Sequence, residues 1–127
     1  MRILVVEDEP GIREFLKEGL EALPGVAVDT AADRRCVEMA RSTGYDLVIT
    51  DMQLADDLDG LTVIREISRF DSDVRFIVMT GKKRLDVATK LVTAIKGNQV
   101  VSFLFKPFDL EELRIAVDRV RELRPAR

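Results

Sequence analysis

The chain has 127 residues, 46% of them hydrophobic and 34% charged, which is enough for one domain with its own hydrophobic core and too few for a second. The 20 basic and 23 acidic side chains give a formal net charge of −3, so the domain has no general attraction to DNA or RNA. The absence of histidine and the single cysteine, Cys36, exclude a histidine base, an imidazole-bound zinc site, an intramolecular disulfide and a CxxC centre.

Short apolar runs alternate with longer segments of helical period along the whole chain. The runs are apolar on consecutive residues, which is typical of strands buried on both faces. The five predicted strands are Arg2–Val6, Val26–Thr30, Asp46–Thr50, Val74–Met79 and Val101–Phe105. After each strand, apolar residues recur every three or four positions, which predicts an amphipathic helix. These helical segments are Ile12–Leu23, Cys36–Ala40, Leu61–Phe70, Leu85–Ile95 and Leu110–Val120.

This alternation predicts an α/β fold of the (βα)5 type, in which right-handed crossovers build one parallel sheet with helices on both faces. We expect a doubly wound, flavodoxin-like sheet with strand order 2-1-3-4-5. Residues 1–127 form the single domain, and the charged tail at residues 121–127 is compatible with the start of a linker. No apolar run approaches the ~20 residues of a membrane span and no signal peptide is present, so we expect a cytoplasmic protein without membrane contact.

Polar residues stand at the carboxyl ends of four predicted strands, the edge at which open parallel sheets bind ligands. They are Glu7-Asp8-Glu9 after the first strand, Asp51 after the third, Thr80-Gly81 after the fourth and Lys106-Pro107 after the fifth. Each alone has a structural explanation: a helix start for the acidic run, a turn for Asp51 or Thr80, and a solvated loop charge for Lys106.

Convergence of these residues gives them a second interpretation. Because the first and third strands are neighbours in the predicted order, Glu7, Asp8 and Asp51 should lie close together. Three carboxylates at one point repel each other unless a cation lies among them, and Mg²⁺ is the hard divalent cation that suits oxygen ligands best. A carboxylate can attack a phosphoryl group when a metal, a lysine and a hydroxyl neutralise the transferred oxygens. Asp51 is the candidate nucleophile, with Lys106 as the cation and Thr80 as the hydroxyl donor.

At these residues the chain resembles the receiver domain of two-component response regulators, a CheY-like fold, over essentially its whole length. The matching segments are Val5–Pro10 with its acidic pair, Asp46–Asp51 ending in the phosphoacceptor, Thr80, and Phe105–Phe108 with its Lys-Pro pair. The resemblance implies a phosphoprotein of two-component signal transduction. It also implies that the chain is not an enzyme acting on separate substrates, since its chemistry is limited to its own phosphorylation and autodephosphorylation.

The resemblance implies a role for each site residue. Asp51 would accept a phosphoryl group from a phosphohistidine of a sensor histidine kinase or of a histidine phosphotransfer protein. Asp8, Asp51 and the backbone carbonyl of Gln53 would ligate Mg²⁺, and Glu7 would hold metal-bound water. Thr80 and Lys106 would bind phosphoryl oxygens, and the peptide bond between Lys106 and Pro107 would be cis.

Signalling in the family depends on a change of packing that the new charge favours. Phe103 matches the aromatic switch position of the family, although a buried strand explains it equally well as a core residue. The switch remodels the face made by the fourth helix, the fifth strand and the fifth helix, which would bind an output domain or protein partner and could form a homodimer. Gln53 and Lys82 stand two positions after Asp51 and Thr80 and would set the phosphoryl lifetime. The Lys82-Lys83-Arg84 run also fits a solvated helix start.

The sequence departs from the family pattern in two segments. Ala55 replaces the usual proline at the fourth position after the phosphoacceptor, and Asp59-Gly60 arrives one residue late, so a looser and more acidic loop is expected after the third strand. Lys106 follows Thr80 by 26 positions, which is several more than usual and predicts a longer fourth helix or exit loop.

Other functional classes remain open from the residues alone. A small phosphatase or phosphotransferase of the haloacid dehalogenase type also uses a strand-end aspartate, but Gln53 stands where that family has a second acid. A flavodoxin-like cofactor binder is disfavoured because the carboxylates after the first strand would repel a flavin phosphate. A receiver-like scaffold that is never phosphorylated is a further alternative.

Overall fold

The computed structural model, which describes residues 1–55, 57–81 and 99–123, contains one sheet of five parallel strands. The strands are β1 (Arg2–Val6), β2 (Ala27–Ala31), β3 (Leu47–Asp51), β4 (Arg75–Gly81) and β5 (Val100–Lys106). Their order is β2-β1-β3-β4-β5, and every neighbouring pair is parallel. The predicted fold class and strand order are therefore confirmed.

Four of the five predicted helices lie among the described residues. They are α1 (Pro10–Glu21), α2 (Arg35–Thr43), α3 (Gly60–Ser68) and the C-terminal helix (Leu110–Leu123). The predicted helix Leu85–Ile95 and the prediction for Lys82 lie outside the described residues, as do residues 124–127. Across the parts of the chain that are described, no helix is both long and apolar enough to cross a membrane.

Both faces of the sheet are buried, because successive strand side chains point to opposite sides. On one face, sheet residues such as Leu4, Val48 and Phe76 form a core with side chains of α2 and α3. On the other face, Ile49 and Ile77 are among the sheet residues that pack with side chains of α1 and the C-terminal helix. Since the helices cover the faces, the carboxyl ends of the strands remain available for a site.

Four strands, β2 to β5, end one or two residues later than the apolar runs predicted. Asp51 is the last residue of β3 and is aligned with Met79 of β4, while Gly81 of β4 is aligned with Lys106 at the end of β5. The prediction that the site residues follow the strands is therefore wrong by one or two positions for Asp51, Thr80 and Lys106, and it is confirmed for Glu7 and Asp8 after β1. Main-chain pairing depends on backbone hydrogen bonds, so it continues where the side chains become polar.

Candidate functional site

Three carboxylates converge at the carboxyl edge of the sheet. Glu7 and Asp8 follow β1, and Asp51 ends the neighbouring strand β3. One carboxylate oxygen from each of the three residues lies within 4.8 Å of the other two. Two adjacent parallel strands thus bring together side chains that are more than 40 positions apart in the sequence.

Glu7 is the most buried member of this acidic cluster, with a side chain that has no exposed surface. Its Oε1 accepts a hydrogen bond from Lys106 Nζ at 2.8 Å, whereas its Oε2 is buried and has no hydrogen-bond partner among the described residues. Burial raises the pKa of the Glu7 carboxyl to about 7, and the nearby Asp51 charge adds to the rise while Lys106 opposes it. Glu7 therefore keeps one buried oxygen that can accept a hydrogen bond or ligate a cation, in addition to the one paired with Lys106.

Lys106 connects two of the three carboxylates. Its Nζ donates to Asp51 Oδ2 at 2.7 Å and to Glu7 Oε1 at 2.8 Å. Burial acts to lower the pKa of Lys106, but the hydrogen bonds to Asp51 and Glu7 raise it above its ordinary value, so the amine stays charged. The alternative of a solvated loop charge is wrong, because only 26% of this side chain is exposed. The peptide bond from Lys106 to Pro107 is cis.

An open cavity of about 1010 Å³ lies next to the acidic cluster. Its lining includes Asp8, Asp51, Thr80 and Lys106, which are among the residues predicted to converge, and Gln53, for which the family resemblance implies a metal ligand. Thr80 is buried, and its hydroxyl donates to the Gly81 carbonyl across a long 3.4 Å. The N–H of Gln53 donates to Asp51 Oδ1, also at 3.4 Å. Both contacts are long and weak. The Thr80 hydroxyl can therefore rotate towards a ligand at little cost.

Backbone hydrogen bonds connect the described residues of the loop after β3. Leu54 N–H donates to the Leu58 carbonyl at 3.0 Å, and Leu58 N–H donates to the Ala55 carbonyl at 3.2 Å. Asp57 has a φ of 58°, a left-handed conformation that aspartate tolerates better than most residues. Asp57 and Asp59 also line the cavity, so the expected acidity is present.

Gly60 fixes the position of this loop against the phosphoacceptor candidate. Its N–H donates to the Met52 carbonyl at 2.9 Å, and a Cβ built on Gly60 would lie only 2.6 Å from the backbone oxygen of Asp51. The Asp59 side chain accepts from Thr62 N–H and caps the following helix, α3. The Asp-Gly pair therefore meets Asp51 despite its one-residue displacement in the sequence.

Two residues lie outside the acidic cluster: Phe103, which the sequence predicts, and Arg13, which it does not. Phe103 is half-buried on β5, where it packs against the core shared with α2 and α3 and stacks on Phe105 with ring centroids 6.4 Å apart. This position agrees with both interpretations of Phe103, the switch and the core aromatic. Sequence reasoning missed Arg13, whose guanidinium donates to the carbonyls of Glu7 and Asp8.

The residues of the cluster fit a magnesium ion. Glu7, Asp8 and Asp51 offer oxygen ligands within a few ångströms of one another, and the buried Glu7 Oε2 has no partner among the residues described. Hard divalent cations are held by such carboxylates, often together with water and a phosphate. The helix-start explanation of the acidic run is weaker, because Glu9 at the start of α1 forms no side-chain cap within the described chain.

Comparison with known proteins gives a consistent result. The family model described as "Response regulator receiver domain" matches residues 3–118. Sporulation initiation phosphotransferase F of Bacillus subtilis is 28% identical, over 97% of this chain and 95% of that protein. The DNA-binding transcriptional regulator NtrC of Azospirillum brasilense is 35% identical over 92% of this chain, which spans only 23% of NtrC. The crystal structure of the receiver domain of NtrX from Brucella abortus superposes with a TM-score of 0.85 at 26% identity, covering 96% of this chain and 99% of that one.

Proposed function

The chain belongs to the response regulator receiver domain family, and on this premise we propose that Asp51 accepts a phosphoryl group from a phosphohistidine. The donor would be a sensor histidine kinase or a histidine phosphotransfer protein. The observation that carries the proposal is the arrangement of Lys106 Nζ between the carboxylates of Asp51 and Glu7, at 2.7 and 2.8 Å. This arrangement holds a positive charge beside the carboxylate that would react.

In the proposed reaction an Asp51 carboxylate oxygen attacks the phosphorus atom. A new O–P bond forms as the P–N bond to the donor imidazole breaks, and the imidazole leaves with the bonding electron pair and takes up a proton. Lys106 binds a phosphoryl oxygen, and the Thr80 hydroxyl, which now makes one long hydrogen bond, donates to another. The product is an acyl phosphate on Asp51.

Glu7, Asp8, Asp51 and the backbone carbonyl of Gln53 would hold Mg²⁺ in this site. When bound, the ion would neutralise charge on the phosphoryl oxygens. The support is the acidic cluster itself, in which Glu7 Oε2 is buried and has no hydrogen-bond partner in the described part of the chain. Gln53 lines the same cavity.

Phosphorylation would change the packing of Thr80 and Phe103 and thereby the face around β5 and the C-terminal helix. That face would contact an output domain or a partner protein, or pair with a second copy. NtrC carries the words "DNA-binding transcriptional regulator" in its name, and this chain spans 23% of its length. The proposal therefore includes an output function outside these residues, in a cytoplasmic protein, with no DNA contact by the receiver itself.

The proposal is tested by incubating the protein with Mg²⁺ and a small acyl phosphate donor. Intact-mass analysis should find one base-labile phosphoryl adduct, which Asp51→Asn abolishes. An unmodified wild type would support the scaffold alternative and overturn the proposal. Release of phosphate in many turnovers from an added phosphoester would instead support the haloacid dehalogenase type, although Gln53 stands where its second acid is needed.

A further inference from the structure

Arg13 connects the start of helix α1 with the acidic loop before it. Its Nη1 donates to the backbone carbonyl of Glu7 at 2.9 Å and, more weakly, to that of Asp8 at 3.4 Å. The N–H of Glu7 donates in turn to the Ala31 carbonyl, beyond the end of the β1–β2 pairing, at 3.0 Å. The main chain of Glu7 is thus held by β2 through its N–H and by Arg13 through its carbonyl.

The position of Arg13 is unfavourable for the helix itself. Cations near a helix N-terminus oppose the macrodipole, and an ordered arginine side chain loses rotamer entropy. A compensating interaction is therefore expected, and the loop provides one. Of its three consecutive acidic residues, Glu7 and Asp8 have carboxylate oxygens within 4.8 Å of one on Asp51. The guanidinium places a fixed positive charge behind a loop that would otherwise be spread apart by repulsion.

We propose that Arg13 is a positioning residue for the cation site, an inference that rests on the proposed function. By holding the carbonyls of Glu7 and Asp8, it keeps their carboxylates within 4.8 Å of Asp51. The ion then binds a loop that is already ordered. Binding therefore does not include the free-energy cost of ordering the loop, and the affinity for the ion is higher. Arg13 is not among the residues predicted to bind the phosphoryl group, and its guanidinium hydrogen bonds within the described chain go to main-chain carbonyls of the loop. It should therefore affect affinity for the ion and not the phosphoryl step.

The experiment compares Arg13→Ala and Arg13→Lys with Lys17→Ala, which removes a positive charge one turn further along the same helix. Calorimetric titration with Mg²⁺ should give a dissociation constant raised roughly tenfold by Arg13→Ala, the lower end for residues that support metal ligands. Arg13→Lys should raise the dissociation constant about threefold, because it keeps the charge but loses the fork of donors. Lys17→Ala should match wild type. If Arg13→Ala does not fold, the test depends on Arg13→Lys, whose dissociation constant for Mg²⁺ should be about threefold higher than that of wild type.

Two further readouts separate positioning from general stability. The Mg²⁺ concentration for half-maximal phosphorylation should rise with the dissociation constant, while the rate at saturating Mg²⁺ stays near that of wild type. In metal-free protein, the backbone amides of Asp8 and Glu9 should lose NMR order in Arg13→Ala and keep it in Lys17→Ala. A wild type that binds no Mg²⁺ would overturn the proposed function together with this inference. A wild type that binds Mg²⁺, with Arg13→Ala equal to it in affinity and loop order, would overturn this inference alone.

Discussion

Lys106 Nζ lies 2.7 Å from Asp51 Oδ2, although the two residues are 55 positions apart in the chain. The contact exists because β3, β4 and β5 are successive neighbours and each ends at the same edge of the sheet. The same amine also donates to the buried Glu7, so one cation partly neutralises two carboxylates. Its charge is therefore in place before a phosphoryl group arrives.

Replacing Lys106 with alanine should lower the rate of Asp51 phosphorylation about 100-fold at saturating Mg²⁺. The magnitude is that of losing one preorganised electrostatic contact to the transferred group. Initial rates with a small acyl phosphate donor measure the effect. Arg119→Ala, which removes an exposed charge from the C-terminal helix, is the matched control and should leave the rate unchanged. A Lys106→Ala rate within about threefold of wild type would show that this contact is structural.

Gly60→Ala should disturb the phosphoacceptor through its backbone. The new Cβ would lie 2.6 Å from the Asp51 carbonyl oxygen, so the loop or β3 has to shift, at a cost of about 1–3 kcal/mol in the free energy of unfolding. The phosphorylation rate should fall as well, because the nucleophile moves with its main chain. Urea unfolding and initial rates measure the two effects.

Gly11→Ala is the control for that substitution. A Cβ on Gly11 meets nothing within 4 Å, and the residue lies in α1, so alanine should be neutral or stabilise by up to about 1 kcal/mol. Equal stability of the Gly60→Ala and Gly11→Ala proteins would contradict the close contact at Asp51.

Most of the fold could be predicted from the sequence because the apolar runs are distinct. The strand around Ile49 and the one around Ile77 were both located from consecutive apolar residues, which only a doubly covered sheet buries. The carboxyl ends of the strands are harder to locate from the sequence than their centres. Asp51 and Lys106 belong to strands because backbone pairing extends past the apolar run, and a polar side chain carries no signal of that extension.

Only part of the site can be predicted from the sequence, again because backbone interactions leave no side-chain signal. The predicted strand order alone brings Glu7, Asp8 and Asp51 together. In the structure their carboxylate oxygens lie within 4.8 Å of one another. The turn at Asp57 could not be foreseen, since a left-handed aspartate has no distinct sequence pattern. Arg13 was missed because its partners are carbonyl groups, which every residue has. The only sequence signal was an arginine at the unfavourable end of a helix that follows three acidic residues.

Tyr45 should ionise at unusually high pH and make the fold sensitive to alkali. Burial, and then the hydrogen bond from its hydroxyl to Asp29 Oδ2 at 2.6 Å, raise the pKa of Tyr45 to about 12 from its ordinary value of 10.0. With the folded-state pKa raised, this stabilisation is complete below pH 10 and is lost as the pH rises through 12, up to roughly 3 kcal/mol. Since the chain has one tyrosine and no tryptophan, phenolate absorbance reports this residue directly.

The matched variant is Tyr45→Phe, which should lose about 1 kcal/mol at neutral pH and show a flatter decline of stability between pH 10 and 12. The same absorbance titration in urea should give a midpoint near 10. A native midpoint equally close to 10 would contradict the buried hydrogen bond.

Cys36 should be an unreactive thiol in the folded protein. It is fully buried in α2, and burial raises the pKa of its thiol to about 11. At pH 8 alkylation by iodoacetamide should therefore be at least about 100-fold slower than in urea, since the thiolate is the reacting species. The rate for unfolded protein should level off above pH 9, while the native rate keeps rising towards pH 11. Equal native and unfolded rates at pH 8 would show that Cys36 is accessible.

Gln53 and Lys82 should set the lifetime of the acyl phosphate on Asp51. Gln53 is exposed, lines the cavity and follows the phosphoacceptor by two positions, so its carboxamide can hold the water that attacks the phosphoryl group. Gln53→Ala should slow dephosphorylation about threefold or more, the value of one lost hydrogen bond. Gln53→Asn, which keeps the amide, should be less affected. Lys82→Ala should also change the rate, because Lys82 stands two positions after Thr80 in the sequence. Loss of phosphoryl label after donor removal measures the lifetime, and wild-type decay in both alanine variants would refute the assignment.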